Sequence, residues 1–475
     1  MVIKELSVYK RLVFNTLLFA IGNFSSKAIN FLLLPVYTRV LTPADYGRLD
    51  LLSTTVSLLF PFVTFQIFDA LFRFTSELKS TESRTVIFSS ALIFSVVMSL
   101  ILIPFYPLFA RNKVFSGVVL YFYLSLFLSI LQVGVKQYLR ASGRVSLFAI
   151  SDILYSLSLA GFNILFLVIF RQGIDGYLRS TILAQVLTLL FLFLRAELYR
   201  ELKLCFDVET IKYMLRYSIP LVPNSIMWWV VNVSDRYVLT YFLGIESTGY
   251  YSVSARFPAL LMMMYSVFFQ AWQISAVEEF GKDSYSEVFK KTFEVVSAGM
   301  FTLASVLLLV LRPVVRLLVS EVYYPSWRFV PFLLLGVVYQ SFSSFYGVNY
   351  IASKKTAGVF STSVVAALVN FGVNIALVKR LGIQAASFST YLAYLVMWLL
   401  RVRESSKVAG VTINLQKAFL SSVFVLFQTF LVLRFYNQVV CLLFSLPITI
   451  GILVIYKSDY AKLVKFILKR SEQRL

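Results

Sequence analysis

The sequence predicts an all-α membrane protein with about fourteen transmembrane helices, and its composition, its apolar runs and an internal repeat all indicate this. Hydrophobic residues make up 59% of the 475 residues and aromatic residues 17%, and the mean hydropathy is +0.81. Soluble domains contain far fewer apolar residues. Most of this chain is therefore predicted to lie in lipid.

Apolar runs of the roughly 20 residues that cross a hydrocarbon core occur along the entire chain. Their centres lie near residues 25, 59, 97, 127, 158, 187, 227, 262, 303, 340, 367, 392, 424 and 447. The segment from Phe88 to Phe109 is typical, because its apolar residues are continuous, whereas the strands of a membrane β-barrel alternate polar and apolar residues. Each run is therefore predicted to be a helix.

Motifs of the first half recur in the same order in the second half. The tetrapeptide at 141–144 corresponds to the one at 352–355, and Gly161-Phe162-Asn163 corresponds to Gly372-Val373-Asn374, both at an offset of 211 positions. Such self-similarity is the signature of an internal duplication. Because six predicted spans, an even number, separate equivalent points, the two copies are predicted to have the same orientation in the membrane.

Three segments follow from this duplication. The sequence predicts an N-terminal six-helix lobe at 1–203 and a C-terminal six-helix lobe at 204–408. The last two apolar runs fall outside the repeat, so residues 409–475 are predicted to form two extra transmembrane helices and a basic cytoplasmic tail.

The distribution of positive charge predicts the orientation. If the N-terminus is inside, most of the 44 Lys and Arg residues fall in cytoplasmic loops and tails, so both termini are predicted to be cytoplasmic. The net charge of +21 is spread over short loops and the tail. Attraction to anionic lipid headgroups explains this pattern better than nucleic acid does. Membrane lipids are therefore predicted partners, and nucleic acid is not.

Two basic residues, Lys27 and Arg256, fall inside apolar spans. An intramembrane charge costs roughly 2.5 to 3.5 kcal/mol on insertion scales, so its presence indicates function. Either cation could instead be neutralised by a buried carboxylate or could cap a backbone carbonyl. Since the two come from different predicted lobes, we expect them to line a substrate cavity and to bind an anionic group.

Polar stripes on several predicted helices indicate a hydrated interior. Asn23, Lys27 and Asn30 lie on one helix face because they are spaced by four and three residues. Asn232 belongs to a similar stripe in the second lobe. We expect Asn23, Asn30 and Asn232 to contribute to substrate binding, although intramembrane asparagines also join helices to each other.

Three acidic residues, Asp69, Asp152 and Asp235, are candidates for coupling transport to an ion. The simpler interpretation is that they form ordinary ion pairs near helix ends.

Several classes of chemistry leave no sign in this sequence. There is no His, and the two Cys residues, Cys205 and Cys441, are predicted to lie too far apart for a disulfide. No Gly-rich nucleotide loop is present, and the longest predicted outer connection contains one carboxylate, Glu321. The paired acids of acid–base catalysis are thus missing there. We predict no metal, no cofactor, no catalytic residue and no enzyme activity.

The segment from Asn30 to Gly47, NFLLLPVYTRVLTPADYG, resembles the first-helix signature of polysaccharide-export flippases, the Wzx-type O-antigen and capsule translocases. These belong to the multidrug, oligosaccharidyl-lipid and polysaccharide exporter superfamily. The segments 235–237 and 249–252 are similar to the second lobe of that family. The resemblance implies a transporter that flips a polyprenyl-diphosphate-linked oligosaccharide from the cytoplasmic to the outer leaflet by alternating access. It also implies that Lys27 and Arg256 occupy positions of cavity cations.

The resemblance further implies a prokaryotic inner membrane location and a role in O-antigen, capsule or exopolysaccharide biosynthesis. A glycosyltransferase or polymerase of the same pathway is the expected protein partner. Four alternatives stay open: a multidrug or cation exporter, a peptidoglycan-precursor flippase, a membrane-embedded glycan polymerase or ligase, and a structural scaffold.

Overall fold

The protein is described by a computed structural model that covers residues 27–29, 31–78, 80–112, 114–203, 205–353, 355, 357–435 and 437–461. These residues form helices joined by short connections, and no β-strand occurs among them. The predicted all-α class is confirmed.

The main helices differ widely in length, and short ones lie between the long ones. In chain order they are α1 (Leu34–Val40), α2 (Pro43–Thr64), α3 (Ile67–Glu77), α4 (Thr81–Leu100), α5 (Val119–Ala141), α6 (Val145–Asn163), α7 (Gly173–Arg195), α8 (Val208–Ser218), α9 (Val222–Val233), α10 (Asp235–Leu243), α11 (Ile245–Glu279), α12 (Tyr285–Leu309), α13 (Leu311–Leu318), α14 (Val330–Ala352), α15 (Ala357–Leu381), α16 (Gln384–Ala409), α17 (Gln416–Arg434) and α18 (Gln438–Ile455). Short helical turns lie between some of them, at Ile103–Phe105, Tyr106–Arg111, Ile164–Ile169, Leu198–Glu201, Ile219–Leu221 and Glu321–Phe329.

In the part of the chain described, 10 helices are long and apolar enough to cross a membrane, and an eleventh span is formed if α2 and α3 are one bent span. The shorter α18 is also apolar. Every predicted span centre from 59 to 447 lies inside a helix, while the first centre, near 25, lies outside the described residues. A multi-pass membrane protein with about fourteen helices is consistent with this arrangement.

The second span is broken in its middle. Helices α2 and α3 meet at an angle of 58°, and the two residues between them, Phe65 and Gln66, have φ values of 49° and 56°. Left-handed backbone is unfavourable for residues other than glycine, so neighbouring contacts must hold this break. One such contact is the hydrogen bond of 2.5 Å from the Gln66 side-chain amide to the Ser225 hydroxyl.

The chain folds into two compact units, Met1–Trp229 and Val230–Leu475. The limit falls inside α9 because the first part of that helix contacts the first unit. Trp229 donates its indole N–H to the Thr54 carbonyl at 3.0 Å and to the Ser57 hydroxyl at 3.1 Å. The lobe limits predicted from the repeat, after residues 203 and 408, remain predictions.

The connection before α8 also belongs to the first unit. The backbone N–H groups of Lys203 and Asp207 donate to the hydroxyls of Ser89 and Ser90, each at 3.0 Å. Asp207 caps α8, and the hydrogen bonds from the Thr210 hydroxyl and amide hold the pKa of its carboxyl below the usual range.

The core of the first unit lies where α3, α4 and α5 pack together. Phe88 and Tyr138 stack there with ring centroids 4.0 Å apart, beside the fully buried Ile67 and Leu71. Burial of such side chains stabilises a helix pair by packing, since lipid is as apolar as the side chains themselves.

The core of the second unit lies between α14 and α16. Its aromatic packing includes Trp272, which stacks on Phe345 at 4.6 Å. The guanidinium of Arg401, 1% exposed, donates to the Ser343 carbonyl at 2.7 Å and to the Thr362 hydroxyl at 3.1 Å. This buried cation thereby joins α14, α15 and α16.

The last two helices, α17 and α18, are joined to α12 by polar contacts. The Ser305 hydroxyl lies 2.6 Å from the Gln428 side-chain oxygen and 2.7 Å from the Thr449 hydroxyl. All three residues are buried. The two helices therefore belong to the second unit.

Candidate functional site

A buried carboxylate, Asp235, lies in the second unit, directly after a turn at Ser234 that separates α9 from α10. Its side chain is 1% exposed. A carboxylate at such depth needs several hydrogen-bond donors to replace water.

Three neutral side chains from three different helices supply these donors. Tyr251 of α11 donates to Oδ2 at 2.8 Å, and Thr390 of α16 donates to the same oxygen at 2.7 Å. Asn374 of α15 donates to Oδ1 at 2.8 Å. The site thus exists only when α10, α11, α15 and α16 are packed together.

The side-chain oxygen of Asn374 is buried and has no hydrogen-bond partner among the described residues. A carboxylate, an amide oxygen and the Thr390 hydroxyl oxygen therefore lie close together, which is a donor set suited to a hard monovalent cation or a proton. No group of three or more His, Cys, Asp and Glu residues able to hold a metal ion occurs in the described part.

A pocket of about 260 Å³ adjoins this carboxylate within the second unit. It is lined by Asn232, Arg236, Tyr251, Ala255, Pro258, Ala259, Met262, Leu333, Val337, Gln340, Thr390 and Tyr394. Two of these residues, Tyr251 and Thr390, are also donors to Asp235, so one pair of hydroxyls separates the pocket from the carboxylate.

The polar side of the pocket is ordered before any ligand is bound. The Asn232 side-chain oxygen accepts from the Tyr394 hydroxyl at 2.6 Å and from the Gln340 amide at 3.1 Å. The same Gln340 amide lies 2.9 Å from the Tyr394 hydroxyl. Arg236 donates to the Asn232 backbone carbonyl at 2.6 Å, and its guanidinium lies over the ring of Tyr251 at 5.3 Å.

The predicted substrate-binding residues are distributed over both units. Asn232 lines the pocket, and Arg256 is half-buried on α11, the helix that carries Tyr251. Lys27 is exposed at the start of the described chain in the first unit. Asn23 and Asn30 lie outside the described residues. The roles of these five residues remain predictions.

The three predicted coupling acids have different surroundings. Asp152 forms an ion pair of 2.5 Å with Lys136 in the first unit, and Asp69 is exposed in the first turn of α3. Asp235 is the buried one, and its carboxylate accepts its three hydrogen bonds from neutral groups.

Six residues of this site are not among the candidates predicted from the sequence: Arg236, Tyr251, Gln340, Asn374, Thr390 and Tyr394. Thr390 and Tyr394 are spaced by four residues and so share a helix face, which is a signal that could have been read. Gln340 carries no such signal, because its partners lie on α9 and α16.

Several solved structures of membrane transporters are similar in fold to this chain. Among solved structures, the lipid II flippase MurJ in an inward closed conformation has a TM-score of 0.72 at 16% identity, with 95% of this chain and 100% of that chain covered. An inward-facing multidrug resistance MATE family transporter of the MOP superfamily has a TM-score of 0.68 at 13% identity, covering 83% of this chain and 99% of that chain. An outward-facing MATE family transporter scores 0.58 at 13% identity, with coverages of 84% and 96%. The fold is therefore the one that these MurJ and MATE structures share, and it is the fold of a multi-pass membrane protein.

The family model described as polysaccharide biosynthesis protein matches residues 12–273, more than half of the chain. The protein belongs to this family, and the resemblance drawn from the first-helix signature is confirmed. A comparison with curated proteins gave no match.

Proposed function

We propose that this protein flips polyprenyl-diphosphate-linked oligosaccharide repeat units from the cytoplasmic to the outer leaflet of a prokaryotic inner membrane. Its termini would be cytoplasmic, and its products would serve O-antigen, capsule or exopolysaccharide biosynthesis. The observation that carries this proposal is the match to a polysaccharide biosynthesis family in a chain with the fold of flippases and exporters.

The substrate combines a doubly charged diphosphate with neutral sugar rings, and each part needs its own side chains. We assign Lys27 and Arg256 to the diphosphate, because cations lower the cost of bringing phosphate charge into a low-dielectric interior. Asn232 and its neighbours in the pocket suit sugar hydroxyls, because carboxamides both donate and accept hydrogen bonds.

We assign ion coupling to Asp235 rather than to Asp69 or Asp152. Because the hydrogen-bond donors of this buried carboxylate are neutral, it can take up a proton or a monovalent cation without breaking an ion pair. Asp152 is already neutralised by Lys136, and Asp69 is exposed, so neither site depends on an additional ion.

The runner-up is a multidrug exporter of organic cations, which shares the fold. Such a substrate favours an acidic binding surface, whereas the pocket of the second unit carries Arg236. A peptidoglycan-precursor flippase is a further alternative, since the lipid II flippase MurJ shares the fold. A glycan polymerase or ligase would need paired acids, whereas the longest predicted outer connection contains one carboxylate, Glu321.

The proposal is tested by deleting the gene in its host and measuring lipid-linked glycan on the cytoplasmic leaflet. Wild type should clear the accumulated glycan, and Lys27→Ala and Arg256→Ala should not. Arg200→Ala is the matched control, because Arg200 is exposed and pairs with its helix neighbour Glu197. Absence of accumulation in a host with no second flippase would contradict the proposal and favour the multidrug exporter. Clearance by both cavity variants would keep the flippase and remove the cation assignment.

A further inference from the structure

We propose that the pocket of the second unit binds one neutral pyranose ring of the glycan, and that Tyr251 and Thr390 link this binding to ion uptake at Asp235. This inference rests on the proposed function and deepens it, because it names a subsite and the side chains through which the sugar affects the ion site.

The size of the pocket matches a single ring. At about 260 Å³ it lies below the roughly 300 Å³ at which pockets for drug-sized ligands begin. The pocket is open on one side, so the rest of a repeat unit would lie outside it. Part of the lining is apolar and includes Pro258, Met262 and Leu333. The rest of the lining is polar and consists mainly of hydroxyl and amide groups. This combination suits a pyranose, which has apolar C–H faces and a polar rim.

The polar groups of the pocket are preorganised to contact the hydroxyl groups of a sugar ring. Asn232, Gln340 and Tyr394 are hydrogen-bonded to each other, so their orientations are fixed before a ligand enters. Fixed donors and acceptors lose little side-chain entropy on binding. Sugar hydroxyls, which both donate and accept, can use each of these groups.

The charges around the pocket favour a neutral sugar over an acidic one. Arg236 contributes a positive charge to the lining, and Asp235 contributes a negative charge behind Tyr251 and Thr390. The titratable groups that face Asp235 are Tyr251 from α11 and Tyr394 from α16, with Arg236 on its own helix. The groups contributed by α15 and by Thr390 do not titrate. The site is thus charge-balanced without a ligand.

The linkage follows from the number of protons available. A tyrosine or threonine hydroxyl has one proton to donate, and in the structure both protons are given to Asp235. A sugar oxygen that accepts one of them deprives the carboxylate of a donor. The carboxylate then takes up a proton from the aqueous phase, or a cation, and releases it when the sugar leaves. Sugar binding and ion binding therefore favour each other.

The linkage is tested with full-length protein in nanodiscs by isothermal titration calorimetry, using the methyl glycosides of glucose and N-acetylglucosamine as probes. Buffers of different ionisation enthalpy report protons taken up on binding, and a sodium series reports cation linkage. With full one-proton linkage the affinity rises about tenfold for each unit by which the pH falls. Tyr251→Phe and Thr390→Val should each weaken this dependence.

Two matched controls separate the linkage from general effects of losing a hydroxyl. Tyr346 and Thr429 are buried in the same unit, and their hydroxyls have no partner among the described residues. Tyr346→Phe and Thr429→Val should bind the probes with the wild-type dependence on pH and sodium. Equal effects of all four variants would overturn the linkage, as would wild-type binding that is independent of both pH and sodium.

A second measurement covers probes that bind too weakly to titrate. Ala259 lines the pocket, so Ala259→Phe should fill it and reduce flipping of lipid-linked glycan in proteoliposomes at least tenfold. Gly372→Phe is the control, since a Cβ at Gly372 meets no atom within 4 Å.

Normal flipping by Ala259→Phe would overturn the subsite while leaving the flippase intact. Tighter binding of methyl glucuronide than of the neutral glycosides would overturn its neutral preference. Failure of wild type to flip any glycan would instead contradict the proposed function.

Discussion

Two asparagines at equivalent positions of the internal repeat have different partners in the two units. Asn163 in the first unit donates to the Tyr37 hydroxyl at 2.9 Å, and Asn374 in the second donates to the Asp235 carboxylate at 2.8 Å. Both asparagines are fully buried. The duplication thus retains a buried amide that joins two helices, while its partner is a neutral phenol in one unit and an ionisable group in the other. We therefore expect the proposed ion coupling to depend on the second unit rather than on the first.

The acidic residues of the two units differ in the same way. In the first unit Asp152 is paired with Lys136, so its charge is compensated by a neighbouring cation. In the second unit the charge of Asp235 is stabilised by three dipolar donors. An ion pair resists a change of protonation on either partner, whereas Asp235 can accept a proton without breaking an ion pair, because its hydrogen-bond donors are neutral.

The largest expected effect is that of Asp235→Asn. This substitution removes the ionisable group with little change in volume, so transport should lose its dependence on a proton or cation gradient. For a one-proton coupling, the equilibrium ratio of outer-leaflet to inner-leaflet glycan should fall about tenfold for each unit of pH difference, since one pH unit corresponds to about 1.4 kcal/mol. The measurement is glycan flipping in proteoliposomes with and without an imposed gradient. Asp152→Asn is the counterpart in the first unit, and flipping by this variant should still depend on the gradient. If both variants lost the gradient dependence equally, the two units would not differ in ion coupling.

The next effect concerns the two asparagines themselves. Asn374→Leu deprives Asp235 of a donor and should both change the ion dependence of transport and destabilise the second unit by about 1–3 kcal/mol. Asn163→Leu removes one interhelical hydrogen bond, worth about 0.6 kcal/mol on average in membranes, and should leave the ion dependence unchanged. Thermal unfolding in detergent and gradient-driven flipping are the two readouts. An altered ion dependence in Asn163→Leu would show that the units are functionally alike.

A smaller effect is expected at the ion pair of the first unit. Lys136→Met leaves Asp152 partly buried without its cation and should lower stability by about 1 kcal/mol or more. The double substitution Lys136→Met with Asp152→Leu should regain most of that loss, because an apolar pair of similar volume avoids the desolvation of charges. The comparison is made by thermal unfolding. A double variant as unstable as the single one would mean that the pair acts through packing rather than charge.

The smallest effect is expected at the glycines that precede the two asparagines. A Cβ at Gly161 or at Gly372 meets no atom within 4 Å, so neither glycine is required by a close contact. Gly161→Ala and Gly372→Ala should each change stability by no more than about 1 kcal/mol, in the stabilising direction, because alanine favours helix. A large loss in one unit alone would reveal a further difference between them.

The sequence predicted the helical class and the positions of most apolar helices, because the length of an apolar run is a local property of the chain. It also named Asp235, Asp69 and Asp152 as candidates for ion coupling, which stays a prediction, but it could not show which of the three is buried among hydrogen-bond donors. The surroundings of Asp235 depend on Tyr251, Asn374 and Thr390, which approach it from helices far away in the sequence. Composition alone cannot predict which of several polar helix faces meet.

The break in the second span escaped prediction for a different reason. Phe65 and Gln66 adopt left-handed backbone without being glycine, and Pro61 lies several residues earlier, inside α2. Neither residue type signals such a turn. The conformation is maintained by contacts within the first unit, including the hydrogen bond from Gln66 to Ser225.

The polar contacts of the two C-terminal helices determine what the rest of the second unit would expose without them. Ser305 is satisfied by Gln428 and Thr449, and the Tyr339 hydroxyl lies 2.6 Å from that of Ser422. A shorter chain that ended before Gln416 would turn these hydroxyls toward acyl chains, where apolar side chains are favoured. Truncation of α17 and α18 should therefore uncover polar groups of α12 and α14 that are unsuited to lipid, and it should destabilise the rest of the second unit.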